Sequence, residues 1–296
     1  MSNDVGKRFT QLLAKLKLTD LQREDGRTKH AGVRKCLNQH YYNLNSETAN
    51  SRLVGSWGKS TEVRPPRDID VLFVLPDTVY YRYEQKPWGA NKQSMLLQEV
   101  KLVLQNSYGA TRMRADGQVV LVPFVSYAVE VVPAFKLTDG QHFICDTHAG
   151  GSYKRTDPDA EQQLVRSSNA TTKGNTRDLI RLMKAWQRTC SVPLKSFLIE
   201  LAAVDFLASW EHAGNSAVYY DYMSRDFFAF LLRHTWGTAQ VPGTGETIDL
   251  GADWESKARS AHGRAVKACN YEASDKETDA WWEWTKIFGD DVPLMP

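Results

Sequence analysis

Two aspartates, Asp68 and Asp70, flank Ile69 at the head of a β-branched run, DIDVLFVL. In a strand successive side chains alternate faces, so both carboxylates point one way while Ile69 points into a core. Like charges sharing a small site repel unless a cation lies between them, and hard oxygen ligands suit Mg²⁺ or Mn²⁺ bridging to phosphates. Just upstream, in LVGSWGKSTEVRPPRDIDV, a predicted strand runs into Gly55-Ser56. Gly55 lets the backbone approach a phosphate with no Cβ in the way, and Ser56 adds a hydroxyl and an N–H at the start of a short helix. The pair reads as a phosphate cradle. It is not a Walker loop, because Gly55 and Gly58 stand too close for GxxxxGK[ST]. A third carboxylate is expected from a neighbouring strand, and YAVEVVPAF carries Glu130. Alone, a strand Glu reads as an edge or solvent-facing residue. Beside Asp68 and Asp70 it reads as a third ligand, and three carboxylates holding two ions about 4 Å apart would activate an attacking hydroxyl and stabilise a leaving pyrophosphate.

These segments resemble the cGAS/DncV-like nucleotidyltransferases (CD-NTases) of the DNA polymerase β-like nucleotidyltransferase superfamily. The resemblance rests on GSWGKSTEVRPPRDIDV, EVVPAF, LIRLMKAWQ, PLKSFLIEL and WWEWTKIFGDDVP, and spans about residues 10 to 293. It implies Asp68, Asp70 and Glu130 as the catalytic metal triad for two Mg²⁺ ions, with Mn²⁺ as an alternative. It implies Gly55 and Ser56 as the hold on the donor triphosphate, Lys184 as a lysine reaching that triphosphate from a helical lobe, Ser196 as its helper, and Phe197 as an aromatic beside a base. On their own residues, Lys184 reads as an exposed helix lysine and Ser196 as an N-cap. Two departures stand out. Glu130 replaces the more frequent Asp, and TIDLGADWESKARS stands where several relatives carry a DPxNPxxN-type segment. The resemblance further implies condensation of ATP and/or GTP into a cyclic di- or trinucleotide in CBASS antiphage signalling, a separate effector protein, and an activating regulatory protein. A linear 2′-5′-oligoadenylate-type synthase, a nucleic-acid-activated sensor and a catalytically dead binding module remain the alternatives.

The elements needed to position these residues are legible as α+β followed by α. Apolar spacing predicts helix over residues 5 to 44 with a break near 19 to 26, then strands in SRLVGS, DIDVLFVL, TRMRA, QVVLVPF and YAVEVVPAF, interrupted by a helix over 92 to 105. After Asp157-Pro158, helices are predicted near 159–168, 175–190, 194–211, 222–235, 253–270 and 276–287, with an exposed loop over 237–251. The expected division is an N-terminal helix and nucleotidyltransferase palm over 1–158 and a helical lobe over 159–296. An NTP cleft is expected between them, lined by Arg177, Arg181 and Lys184.

Composition bounds the rest. The 296 residues are 42% hydrophobic and 24% charged, an ordinary globular balance, and 37 basic against 35 acidic residues disfavour stable nucleic-acid binding through bulk charge. No apolar run has the length of a membrane span and the N-terminus lacks a secretory pattern, so a cytoplasmic chain is expected. Cys36, Cys145, Cys190 and Cys269 are scattered, without a CxxC pair. His142, Cys145, Asp146 and His148 in HFICDTH read as a strand end plus loop rather than a zinc site. Trp281, Trp282 and Trp284 cannot share one helix face, so one is expected to be exposed. The N-terminal Lys7, Arg8, Lys15 and Lys17 are expected on solvated faces, as are most of Lys173, Arg177, Arg181, Lys184 and Arg188.

Overall fold

The computed structural model describes residues 3–87, 89–109 and 112–295, which pack as two compact units. The sheet unit comprises Thr19–Ser60 and Pro66–Gln162. Its strands are β1 (Ser51–Leu53), β2 (Asp68–Val74), β3 (Arg114–Asp116), β4 (Val119–Pro123), β5 (Ala128–Lys136), β6 (His142–Asp146) and β7 (Ser152–Thr156). They run in the order β1-β2-β5-β4-β3, and the far end of β5 turns to β6, which pairs with β7. Among the described residues only β2 and β5 pair in parallel. Helices α2 (Asp20–Tyr42) and α5 (Lys92–Tyr108) supply Val33, Leu37, Leu96, Leu97, Val100 and Leu104 to a core shared with Ile69, Val71, Phe73, Val129 and Val131 of the central strands. The α+β expectation therefore holds, as a mixed sheet with helices. Strand β6 falls where HFICDTH was read as a strand end, whereas β7 and the short helix α4 (Asp77–Glu84) were not expected from the sequence. In TRMRA, Thr111 lies outside the described residues, and the strand covers only its end.

The helical unit gathers residues up to Leu18, the segment Thr61–Pro65, and residues from Gln163 onward. It contains α1 (Asn3–Leu16), most of α6 (Pro158–Thr171), α7 (Asn175–Thr189), α8 (Ser196–Ser209), α9 (Tyr220–Arg233), α10 (Glu255–Glu272) and α11 (Glu277–Phe288). The expected division at 158/159 differs from these packing units in three places, the first being that residues 159–162 pack with the sheet unit. Helix α1 buries Val5, Phe9, Leu12, Leu13 and Leu16 in the helical core, where Phe9 meets Trp284 edge-on at 5.2 Å, and Thr61–Pro65 packs there too. The break between α1 and α2 is shorter and earlier than expected because Thr19 starts α2 with a capping box, its hydroxyl accepting from the Gln22 N–H while the Gln22 side chain accepts from the Thr19 N–H. The expected loop over 237–251 is a small hairpin, β8 (Thr238–Gln240) with β9 (Thr247–Asp249).

Candidate active site

The three acidic residues occupy neighbouring positions on the two parallel strands. Asp70 of β2 stands in register with Glu130 of β5, and Asp68 with Ala128. Between them Ile69 and Val129 are fully buried, whereas Asp68 is exposed and Asp70 and Glu130 are half-buried. The period-two pattern thus sends the apolar set under the helices and the carboxylates out of the opposite face. The Glu130 carboxyl is pushed up to about 7, first by burial and then by the charges of Asp70 and Asp68.

The cradle lies against the same aspartate. The N–H of Val54 donates to the Asp70 carbonyl at 3.0 Å, which carries the chain from β1 into the short turn of helix α3 (Gly55–Lys59) beside β2. Gly55 has φ +54°, and a Cβ placed there would overlap Asp70 Oδ2 and come within 2.7 Å of its Cγ. Only glycine fits, both for its backbone and for the carboxylate it faces. The first turn of α6 fastens this segment from behind. Gln162 Nε2 donates to the Leu53 carbonyl at 2.9 Å, Lys59 pairs with Glu161 at 2.9 Å, and Arg52 pairs with Asp159 at 2.6 Å. Sequence reasoning did not anticipate this fastening; the GKS that imitates a Walker loop conceals a lysine that is 4% exposed and committed to an ion pair.

Among the described residues no three His, Cys, Asp or Glu side chains are already drawn into a compact cage. The fit to a divalent metal therefore rests on donor chemistry. Three carboxylates offer hard oxygens on one exposed face, and their repulsion, which adds to the effect of burial on Glu130, is what a cation would relieve.

Lys184, Ser196 and Phe197 belong to the helical unit. Lys184 is 7% exposed, not a surface lysine; its Nζ donates to Glu200 Oε1 at 2.7 Å and to Thr61 Oγ1 and O at 3.0 and 3.2 Å. Ser196 is the first residue of α8 but does not cap it; its hydroxyl donates to Gln187 Oε1 at 2.9 Å. Phe197 is half-buried. Arg181 is buried beside Asp178 at 3.3 Å, and Arg188 bonds the Arg64 carbonyl. Arg8, expected on a solvated face, is fully buried and paired with Glu272 and Glu277, because α1 is part of a helical core rather than an outlying element.

The HFICDTH residues do not converge. Strand alternation places Cys145 in the sheet core, while Asp146 is held by Lys154 at 2.8 Å and by His148. Of the tryptophans, Trp284 is fully buried, Trp281 donates to the Val292 carbonyl at 3.0 Å, and Trp282 is the exposed one. No helix of the described residues is long and apolar enough to cross a membrane.

Residues 3–169 match the model of the Second Messenger Oligonucleotide or Dinucleotide Synthetase domain. The chain belongs to that family. It is a nucleotidyltransferase of the CD-NTase kind. Among relatives of this synthetase, "Probable cyclic nucleotide synthase IK1_05630" of Bacillus cereus is 23% identical over 274 residues, covering 81% of each chain. The fold matches Vibrio cholerae DncV in its apo form with a TM-score of 0.71 at 16% identity, over 95% of this chain and 93% of that one. It matches Escherichia coli MS115-1 CdnC with ATP at 0.69 and 18% identity, over 99% of both. The Bradyrhizobium diazoefficiens CD-NTase CdnG in complex with GTP matches at 0.70 and 12% identity, over 98% of this chain and 96% of that one.

Proposed function

We propose that this synthetase condenses nucleoside triphosphates into a cyclic di- or trinucleotide with release of pyrophosphate, and that Asp68, Asp70 and Glu130 hold the two Mg²⁺ ions, or Mn²⁺, that the reaction needs. The observation that carries the reading is the in-register placement of Asp70 and Glu130 on adjacent parallel strands, with the glycine of the cradle against Asp70. When bound, divalent ions supply charge neutralisation at the triphosphate and lower the pKa of an acceptor ribose hydroxyl. The protein's own part is positional. Ile69 and Val129, locked in the core, fix the strands, so the carboxylates are held on one face without reorganisation. Gly55 lets the Asp70 carboxylate lie against the cradle backbone, and Ser56 would offer its N–H and hydroxyl to a phosphate.

ATP and GTP are the proposed substrates. They accord with the ATP and GTP complexes of CdnC and CdnG. For Ser196 and Phe197 we propose the nucleotide-binding roles that the family resemblance implies, read out as a raised KM in Ser196→Ala and Phe197→Ala. A signalling role in CBASS defence, with the product acting on a separate effector and a regulatory protein controlling synthesis, fits family membership and the complex of E. coli CdnC with HORMA-deltaN.

The test is to incubate pure protein with Mg²⁺ or Mn²⁺ and the four NTPs, treat with phosphatase and identify resistant products by mass, with Asp68→Ala/Asp70→Ala alongside. A resistant cyclic product that the double variant does not make is the expected result. Linear products would replace the reading with an oligoadenylate-type synthase, and synthesis only on addition of DNA or RNA would replace it with a nucleic-acid sensor.

A further inference from the structure

Glycine is disfavoured against alanine in a helix interior, so a buried one there calls for a packing reason. Gly26, buried inside α2, has such a reason. A Cβ built on it would stand 2.6 Å from Cη2 and 2.8 Å from Cζ2 of Trp57, and 3.1 Å from Cδ1 of Ile69. The end of the Trp57 indole therefore lies in a notch in α2 that glycine leaves open. Gly263, inside α10, makes the contrast, because a Cβ built there meets nothing within 4 Å.

Two further rings of the sheet unit meet the same indole. His30, one turn along α2 from Gly26, stands edge-on to it at 6.0 Å, and Tyr127, just before β5, stands edge-on at 5.9 Å. His30 is 6% exposed and neither ring nitrogen has a hydrogen-bond partner among the described residues, so it packs as an apolar ring. Burial, then Arg34 and Arg27, push it down to about 4 and keep it neutral. Tyr127 is fixed in turn, its hydroxyl donating to the Gln22 carbonyl at 2.8 Å while the Lys29 ammonium lies 5.9 Å from its ring centre. The surroundings of this one indole thus include every element of the acidic site. Trp57 belongs to α3 with Gly55 and Ser56, Ile69 stands between Asp68 and Asp70, and Tyr127 leads into the strand of Glu130.

We propose that Trp57 is a positioning residue for nucleotidyl transfer: its indole, seated in the notch at Gly26, sets how far the cradle of Gly55 and Ser56 stands from Asp70. This deepens the nucleotidyltransferase reading of Asp68, Asp70 and Glu130 and rests on it. The tolerance is small, because Gly55 already lies against Asp70, where a built Cβ would come within 2.7 Å of Cγ. With His30 and Tyr127 against the indole, a methyl group in the notch shifts α3 rather than the ring alone. A misplacement of about 1 Å costs on the order of a hundredfold in rate.

The experiment uses the full chain with Gly26→Ala, Trp57→Phe, the double variant Gly26→Ala/Trp57→Phe, and Gly263→Ala as control. It measures kcat and the KM for NTP well below each melting temperature, and amide hydrogen exchange in α3. Gly26→Ala is expected to lower kcat about 10- to 100-fold and to quicken exchange in α3 about tenfold. In the double variant the shorter ring makes room for the methyl group, so kcat should recover about tenfold over Gly26→Ala and exchange should slow again. Gly263→Ala should raise the melting temperature and keep the wild-type kcat. Two outcomes overturn the proposal: a Gly26→Ala chain that behaves like the control, with wild-type kcat and exchange, or a double variant in which the two losses simply multiply. Should Gly26→Ala not fold, the double variant decides: a folded, active chain supports the seat, and a second failure overturns it. A wild-type chain that makes no product would sink the nucleotidyltransferase reading instead, and exchange in α3, quickened in Gly26→Ala and restored in the double variant, would then decide the seat by itself.

Discussion

The sheet unit and the helical unit treat charge in opposite ways. On the sheet, three carboxylates of one sign are gathered on one face, and Glu130 is raised to about 7, first by burial and then by its two neighbours. In the helical unit the buried charges are matched: Arg8 with Glu272 and Glu277, and Lys184 with Glu200. A repulsive cluster costs stability and is retained for what it binds; a matched buried pair is needed once its partner is buried. The comparison teaches which charges to read as chemistry and which as architecture.

It can be broken or sharpened by substitution. Asp70→Asn should reduce turnover about 1000-fold or more, since several kcal/mol of charge stabilisation are lost. The melting temperature of that variant should not fall, and a fall would mean that the carboxylate is architectural after all. In the helical unit the pattern should invert. Arg8→Met leaves the buried Glu272 and the half-buried Glu277 without their cation and should destabilise the protein by about 3–5 kcal/mol in urea unfolding. Gly55→Ala should act on both properties, with about 1–3 kcal/mol of strain and a clear loss of rate, because its Cβ would displace Asp70.

Asp221 is the exception within the helical unit, and it offers a finer test. It is 3% exposed, and burial pushes its carboxyl up to about 6. A raised folded-state value means that the stabilising contribution is complete below the unfolded value near 4 and is lost as pH rises through 6. Asp221→Asn should therefore flatten the pH dependence of stability between pH 4 and 7 by about 1–2 kcal/mol relative to wild type. The smallest effect is expected from Glu130→Gln, which removes one of three like charges and should raise stability by about 1 kcal/mol in chelator-containing buffer while lowering activity.

What the sequence disclosed follows from what strand periodicity encodes. Alternation around Ile69 and around Glu130 sorted core from site, and the structure places those residues on adjacent strands in register. Partners distant in sequence were not encoded in any local pattern. Nothing near Lys184 announces that Thr61 will take its donors, and nothing in α1 announces that Phe9 will meet Trp284. The short strand β7 was missed because its polar residues, among them Lys154 and Arg155, hide the period-two signal. Lys184 and Arg8 were misread for a shared reason: a charged side chain is assumed to face solvent until its counter-ion is found.

The pairing of Arg8 with Glu272 spans 264 positions of the chain. During synthesis α1 exists long before α10, so for most of that interval its apolar stripe and its guanidinium have no native partners. Completion of the helical unit is thereby tied to delivery of the C-terminal helices. A chain interrupted before residue 272 could assemble the whole β2–β5 ladder, and with it the acidic face, yet still leave α1 unsheltered. Such a product would carry the acidic face on a body open to proteolysis, with α1 lacking both its apolar cover and its counter-ions.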